Sequence, residues 1–225
     1  LAGKIAARTG AKLITETFCA RHQRGAGRVP VDRLPYFGEQ AAEHLASFKH
    51  IVFVGTRPPV SFFAYPEKPS WLSPEGANLV QVADAKIDVL DALTRLVTGL
   101  DAADEEVTLQ PRCHYDLDDG PLTALELGKV IANRLPKHAI VSDEGATNGL
   151  GAFLMTAGSE PHDWLMLTGG SIGQGLPVAI GAAVARPHQK VIALQADGSA
   201  MYTVQSLWTM ARENLDITVL LLNNS

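Results

Sequence analysis

The run from Lys190 to Asn224 constrains the fold more tightly than any other stretch of the chain. Lys190-Val191-Ile192-Ala193-Leu194-Gln195-Ala196 is rich enough in branched apolar residues to be a buried strand of a parallel sheet. After an Asp197-Gly198 turn, Val204, Leu207, Trp208 and Ala211 fall at i, i+3, i+4 and i+7, the spacing of a helix with one apolar stripe turned to a core. Ile217 to Leu222 is a second apolar strand. A strand, helix and strand of this length form a crossover unit whose strands run parallel. Asp197 and the Asn223-Asn224 pair are therefore expected at one carboxyl edge, where open α/β sheets bind ligands. A carboxylate and an amide oxygen are hard donors that suit Mg²⁺. Adjacent strand residues face opposite sides, so one Asn of the pair reaches the ion.

The remaining chain alternates strand and helix signals in the same way, which predicts an α/β protein of two Rossmann-like three-layer domains with parallel sheets. Residues 1–98 form the first domain. A helix stops at Gly10, strands run at Lys12 to Glu16, Ile51 to Val54 and Leu79 to Val82, and helices at Glu39 to Phe48 and Ala85 to Val97. Cys19 to Pro35 is a loop with Arg21, His22, Arg24, Arg28 and Arg33. The Pro- and aromatic-rich segment from Arg57 to Pro66 is expected to be extended and packed on the domain surface or against a neighbour. Residues 99–121 are acidic and weakly apolar, the composition of a solvated linker. Cys113-His114 within it lacks nearby partners for a metal site.

Residues 122–225 form the second domain. Thr123 with Glu126 three residues later is a capping box, and Ala139 to Ser142 is a buried strand. The loop after it, Asp143 to Gly149, holds Gly145, Ala146 and Thr147, small residues that let backbone amides approach an anion. A second Gly-rich stretch, Thr168 to Pro177, precedes a helix at Val178 to Val184.

Composition narrows the function classes. Of 225 residues, 46% are hydrophobic and 19% charged, the balance of a globular protein, and no apolar run is long enough to span a bilayer. A net charge of −5 without a basic tract excludes nucleic acid as the main partner. Two cysteines without metal-site spacing fit free thiols in a cytoplasmic protein. The chain begins at Leu1 in helical rhythm and stops at Ser225, and is expected to be part of a longer polypeptide.

Asp197-Gly198-Ser199, a helix, and Asn223-Asn224 after twenty-four residues beyond Gly198 resemble the cofactor motif of thiamine diphosphate-dependent enzymes. The resemblance implies that Asp197 and Asn224 bind Mg²⁺, which holds the diphosphate, with Gly198 and Ser199 lining the cofactor. A backbone carbonyl two residues beyond Asn224 would complete the set, one residue past Ser225. Ala196 stands where the family usually has Gly. In benzoylformate decarboxylase-like relatives an apolar residue twenty-five positions before the metal Asp wedges beneath the bent cofactor, and here it is Ile172. By the same carry-over the Gly170 carbonyl accepts from the aminopyrimidine, Ser171 lies beside it, and Gln174 faces the substrate pocket. Ala146 and Thr147 match the family's hydroxyl contacts to the diphosphate, of which Thr147 keeps the hydroxyl.

The first domain is similar to the middle domain of acetolactate synthase and benzoylformate decarboxylase, through Gly10-Ala11, Leu34-Pro35-Tyr36, the Ile51 strand and the Pro59 to Tyr65 segment. Some relatives place FAD or ADP there; Gly25-Ala26-Gly27 opens no clear helix, so an unoccupied middle domain is expected. The resemblance implies a lyase or transferase acting on a small 2-oxo acid, in a homodimer or homotetramer of the full-length chain. The family's essential Glu comes from a pyrimidine-binding domain without counterpart in these residues, so this stretch alone is expected to be inactive. Arg28 lies near the place of the decarboxylases' middle-domain His, with His22 a few residues away. That difference favours an acetolactate synthase-like carboligase over a benzoylformate or other 2-oxo acid decarboxylase. A non-catalytic α/β nucleotide-binding module is the alternative of another class.

Overall fold

The computed structural model describes residues 1–84 and 86–223. In chain order the elements are α1 (Ala2–Thr9), β1 (Ile14–Thr15), β2 (His22–Arg24), β3 (Asp32–Arg33), α2 (Gly38–Leu45), β4 (His50–Val54), β5 (Asn78–Ala83) and α3 (Val89–Gly99). There follow α4 (Ala124–Arg134), β6 (Ile140–Glu144), α5 (Ala146–Met155), β7 (His162–Leu165), α6 (Gly175–Ala185), β8 (Val191–Ala196), α7 (Asp197–Ala200), α8 (Ser206–Arg212) and β9 (Ile217–Leu222). They form two compact α/β units, Leu1–Thr17 with Val31–Thr108, and Phe18–Pro30 with the chain from Leu109 on.

In the first unit both strand pairs, β1 with β3 and β4 with β5, are parallel. Gly10 ends α1 in the left-handed conformation, where a residue without Cβ is unstrained, and its N–H donates to the Ala6 carbonyl. Helix α3 starts at Val89 because the Asp88 carboxylate caps the Leu90 and Asp91 amides. That is later than the helix expected from Ala85, a residue outside those described. Leu34, Ala41, Leu45 and Leu72 form the buried cluster. The aromatic segment leaves its rings at the surface of this unit. Phe62, Phe63 and Tyr65 are all exposed, Phe62 stacking on Tyr36 at 5.3 Å between centroids.

The second unit is a sheet between two helix layers. Its strand order is β2-β7-β6-β8-β9, parallel except for β2, which runs antiparallel to β7. Side chains alternate between faces along each strand. Val141 and Leu194 join Ile131, Ala152, Phe153 and Trp164 in the core that includes α4 and α5. Ile140, Val191 and Ala193 join Leu176, Ala179 and Met210 in the core that includes α6 and α8. Helices α4 and α5 approach so closely that a Cβ on Gly151 would lie 2.3 Å from the Ala124 carbonyl oxygen.

Three expectations are corrected here. The Cys19 to Pro35 stretch is not only a loop: β2 belongs to the second sheet, with Arg24 buried and its guanidinium 3.7 Å from the Phe153 ring centroid. Nor is the acidic stretch only a solvated linker. From Leu109 it joins the second unit, Gln110 exchanging backbone hydrogen bonds with Gly27 and Arg28, and Tyr115 exchanging them with the Asn133 side chain. Finally, α8 turns Ser206 and Met210 inward, leaving the predicted stripe of Val204, Leu207, Trp208 and Ala211 exposed. Among the described residues no helix is long and apolar enough to cross a membrane.

His162, at the start of β7, is 2% exposed, and its Nδ1 lies 2.7 Å from the Glu160 carbonyl oxygen. Burial pushes its pKa down to about 4; the Glu160 hydrogen bond opposes the shift and the nearby Arg24 guanidinium adds to it. The unfolded chain, with an ordinary His value of 6.5, therefore binds more protons between pH 6.5 and about 4. The neutral imidazole stabilises the fold fully above that window, and the contribution falls by up to about 1.4 kcal/mol per pH unit as the pH drops through it. Urea midpoints at pH 7.5 and 5 are expected to differ less in His162→Asn than in the parent chain; equal differences would refute the assignment. Gly151→Ala is expected to cost about 1–3 kcal/mol through overpacking, read from the same midpoints.

Candidate active site

Strand β6 is followed through α5 by β7 on one side, while β8 lies on its other side. The crossovers thus diverge between β6 and β8, the topological switch point at which an open α/β sheet forms a ligand crevice beyond its carboxyl ends. Glu144 pairs with Gln195 across these strands, so the Gly145 loop and the Asp197 turn emerge side by side. The register of β8 with β9, Ala196 against Leu222, brings Asn223 to the same edge. Asn224 lies outside the described residues.

At the end of β6, Asp143 and Glu144 are strand residues rather than the start of the loop. The Asp143 carboxylate accepts the Gly145 N–H at 3.0 Å and the Trp164 indole N–H at 3.0 Å. Helix α5 begins at Ala146 without a side-chain cap, and Ala146 has φ 48°, unusual for a residue with a Cβ. Ala146 and Thr147 are exposed. An uncapped first turn presents amide donors and the positive end of the helix dipole, which is the chemistry that receives a phosphate group.

The Gly-rich stretch is tied down along its length. Gly169, Gly170 and Gly173 have φ of 64°, 68° and 99°, conformations that favour glycine. Gln174, expected to face the substrate pocket, is held at both amide atoms: its Oε1 accepts from Thr168 Oγ1 at 2.6 Å and its Nε2 donates to the Met166 carbonyl at 3.0 Å. Glu144, 3% exposed, accepts the Gly173 N–H at 2.6 Å and the Gly175 N–H. Ser142 Oγ donates to the Gly175 carbonyl at 2.8 Å, and Thr203 Oγ1 to the Gly173 carbonyl at 3.0 Å. Between these anchors Ser171 and Ile172 are exposed, Ile172 by 53%. The two helix N-termini near the crevice thus differ. That of α6 faces the Glu144 carboxylate, while that of α5 has no side-chain cap, the Asp143 carboxylate holding only the N–H of Gly145 before it.

Asp197 opens α7 and is half-buried, and no described residue pairs with its carboxylate. A Cβ on Gly198 would meet open space. Ser199 Oγ accepts from Gln195 Nε2 at 2.7 Å and donates to the Ala196 carbonyl at 3.2 Å, so this hydroxyl braces the turn. A free carboxylate beside an open Gly fits a hard cation bridging to a phosphate. Among the described residues no group of three or more His, Cys, Asp and Glu side chains could hold a metal.

The structure therefore brings Gly145, Ala146 and Thr147 to the same edge as Asp197, Gly198 and Ser199, and links the stretch bearing Gly170, Ser171 and Ile172 to it through Glu144. His22 is 7% exposed and packs on Phe153 at 6.0 Å between ring centroids. Ser142, Glu144 and Thr203 were missed as anchors. The signal for two of them was strand alternation, which puts Ser142 and Glu144 on one face. Two clefts of about 440 Å³ and about 180 Å³ open at the amino ends of the strands, among Arg21, Asp163 and Gln189, and include none of the carboxyl-edge residues.

Residues 144–225 match the family model of the thiamine pyrophosphate enzyme C-terminal TPP binding domain. Over 225 residues the chain is 46% identical to IlvX, a candidate acetolactate synthase large subunit of Mycobacterium tuberculosis, covering 99% of this chain and 43% of the relative. It is 30% identical over 166 residues to benzoylformate decarboxylase of Pseudomonas aeruginosa, covering 67% of this chain and 31% of that enzyme. The fold matches that of the thiamine diphosphate-dependent 4-hydroxybenzoylformate decarboxylase of Rhodococcus jostii RHA1, with a TM-score of 0.71, 23% identity, and coverage of 99% of this chain and 45% of that one. The chain spans less than half the length of these relatives. A carboxyl-edge crevice built from the matched residues, on a fold shared along the whole chain, makes this chain a member of the thiamine diphosphate-dependent enzyme family.

Proposed function

We propose that the crevice holds thiamine diphosphate through Mg²⁺ and serves an acetolactate synthase-like carboligase. The observation that carries this reading is the convergence at one switch point of an uncapped helix N-terminus, α5, and a carboxylate, Asp197, that is unpaired among the described residues. Asp197 and Asn224 hold the cation. The first-turn amides of α5 and the Thr147 hydroxyl hold diphosphate oxygens, and Gly198 leaves room for them. Ile172 supports the bent cofactor from beneath, and the Gly170 carbonyl accepts from its aminopyrimidine. When bound, thiamine diphosphate supplies the carbanion-stabilising chemistry that lets a 2-oxo acid lose carbon dioxide.

The residues of this chain anchor and orient; the acid that activates the pyrimidine comes from a pyrimidine-binding domain, presented by a second subunit of a dimer or tetramer. Exposed Ile172, Met201, Tyr202, Leu207 and Trp208 support that arrangement, because apolar surface of this kind marks an interaction face. The 46% identity to an acetolactate synthase-type relative favours carboligation of two 2-oxo acids over simple decarboxylation.

Calorimetry of the full chain is expected to show Mg²⁺-dependent binding of thiamine diphosphate, weakened at least about tenfold in Asp197→Ala. Unchanged binding in the variant, or none in the parent, would favour a non-catalytic nucleotide-binding module. With pyruvate the full-length enzyme is expected to release acetolactate; acetaldehyde without acetolactate would assign it to the decarboxylases.

A further inference from the structure

Glu144 makes none of the cofactor contacts proposed above, yet it is the carboxylate most deeply placed at the crevice. At 3% exposure it accepts the N–H groups of Gly173 and Gly175, one on each oxygen. We propose that Glu144 is a positioning residue that holds the Gly-rich loop, and Ile172 at its apex, in the cofactor-ready conformation before any cofactor arrives; this rests on the cofactor reading above.

A stretch with positive φ at Gly169, Gly170 and Gly173 has much conformational freedom to lose, so something must select one backbone path. Glu144 does so by gripping alternate amides, a two-point contact that sets both the position and the direction of the chain between them. The neighbouring bonds act on the same few atoms. Ser142, on the same face of β6, holds the Gly175 carbonyl, and Thr203 holds the Gly173 carbonyl. The carboxylate also faces the N-terminus of α6, where negative charge is favoured. No larger residue replaces Gly175, because a Cβ there would lie 2.6 Å from Gln195 Oε1 and 2.8 Å from Glu144 Oε2. With the loop's amino end latched by Gln174 to Thr168 and Met166, Ile172 is presented from a backbone fixed on both sides. An apolar wedge that is already in place avoids the ordering cost at the moment of binding.

Glu144→Gln tests this with little change of volume: it keeps one acceptor oxygen and sets an amide NH₂ against the second backbone N–H. Hydrogen exchange of the cofactor-free full chain is expected to lose protection at the Gly173 and Gly175 amides, with the Val141 and Leu194 amides unchanged. Calorimetry with thiamine diphosphate and Mg²⁺ is expected to give a Kd raised about tenfold. Unchanged loop exchange and unchanged Kd would overturn the proposal, as would loss of protection spread through the Val141 and Leu194 core. A parent chain that binds no thiamine diphosphate would sink the cofactor reading instead, and the exchange arm would still decide whether Glu144 holds the loop.

Discussion

The parallel pairing of β6 with β8, ending at Glu144 against Gln195, is the constraint on which the crevice depends. Both strands are buried on two faces, so their register is set by two cores at once and a one-residue slip would turn each set of side chains to the wrong layer. With the register given, the turns that follow must open side by side. The chain diverges there, with β7 on one side of the pair and β9 on the other, and the space left between the crossovers is the candidate site.

Polar residues at the last positions of these strands convert that edge into machinery. Asp143 braces its own loop and the Trp164 indole, Glu144 the Gly-rich loop, and Gln195 the Ser199 turn. Among the described residues none pairs with the Asp197 carboxylate, and α5 starts without a side-chain cap. The division of labour follows from strand alternation: one residue faces each helix layer in turn, and the next is already in the turn.

Much of this was legible in the residues. The apolar runs of β8 and β9 and the spacing from Asp197 to Asn223 need only periodicity and the crossover rule, and the strands appear as expected. The acceptors at the end of β6 were not legible, because Asp-Glu-Gly looks like the start of a loop when its long-range partners, Gly173 and Gly175, lie about thirty residues on. Strand β2 was hidden for a related reason. His22 and Arg24 look like solvated cations until Phe153 and Trp164 are brought beneath them by another strand and helix. The stripe on α8 misled in the opposite sense: its period was right for a helix, but Ser206 and Met210 supply the face that meets the core. Periodicity identifies an amphipathic helix without saying whether its apolar side meets its own sheet or some other surface.

The central claim is that the cation sits between the β8 turn and the end of β9, carried by Asp197 and Asn224. Anomalous scattering from crystals of the full chain grown with Mn²⁺ and thiamine diphosphate tests it most directly. The account predicts a metal peak bonded to the Asp197 carboxylate, with the diphosphate reaching the first turn of α5. A peak elsewhere, or a diphosphate bound away from the β6 and β8 ends, would contradict it.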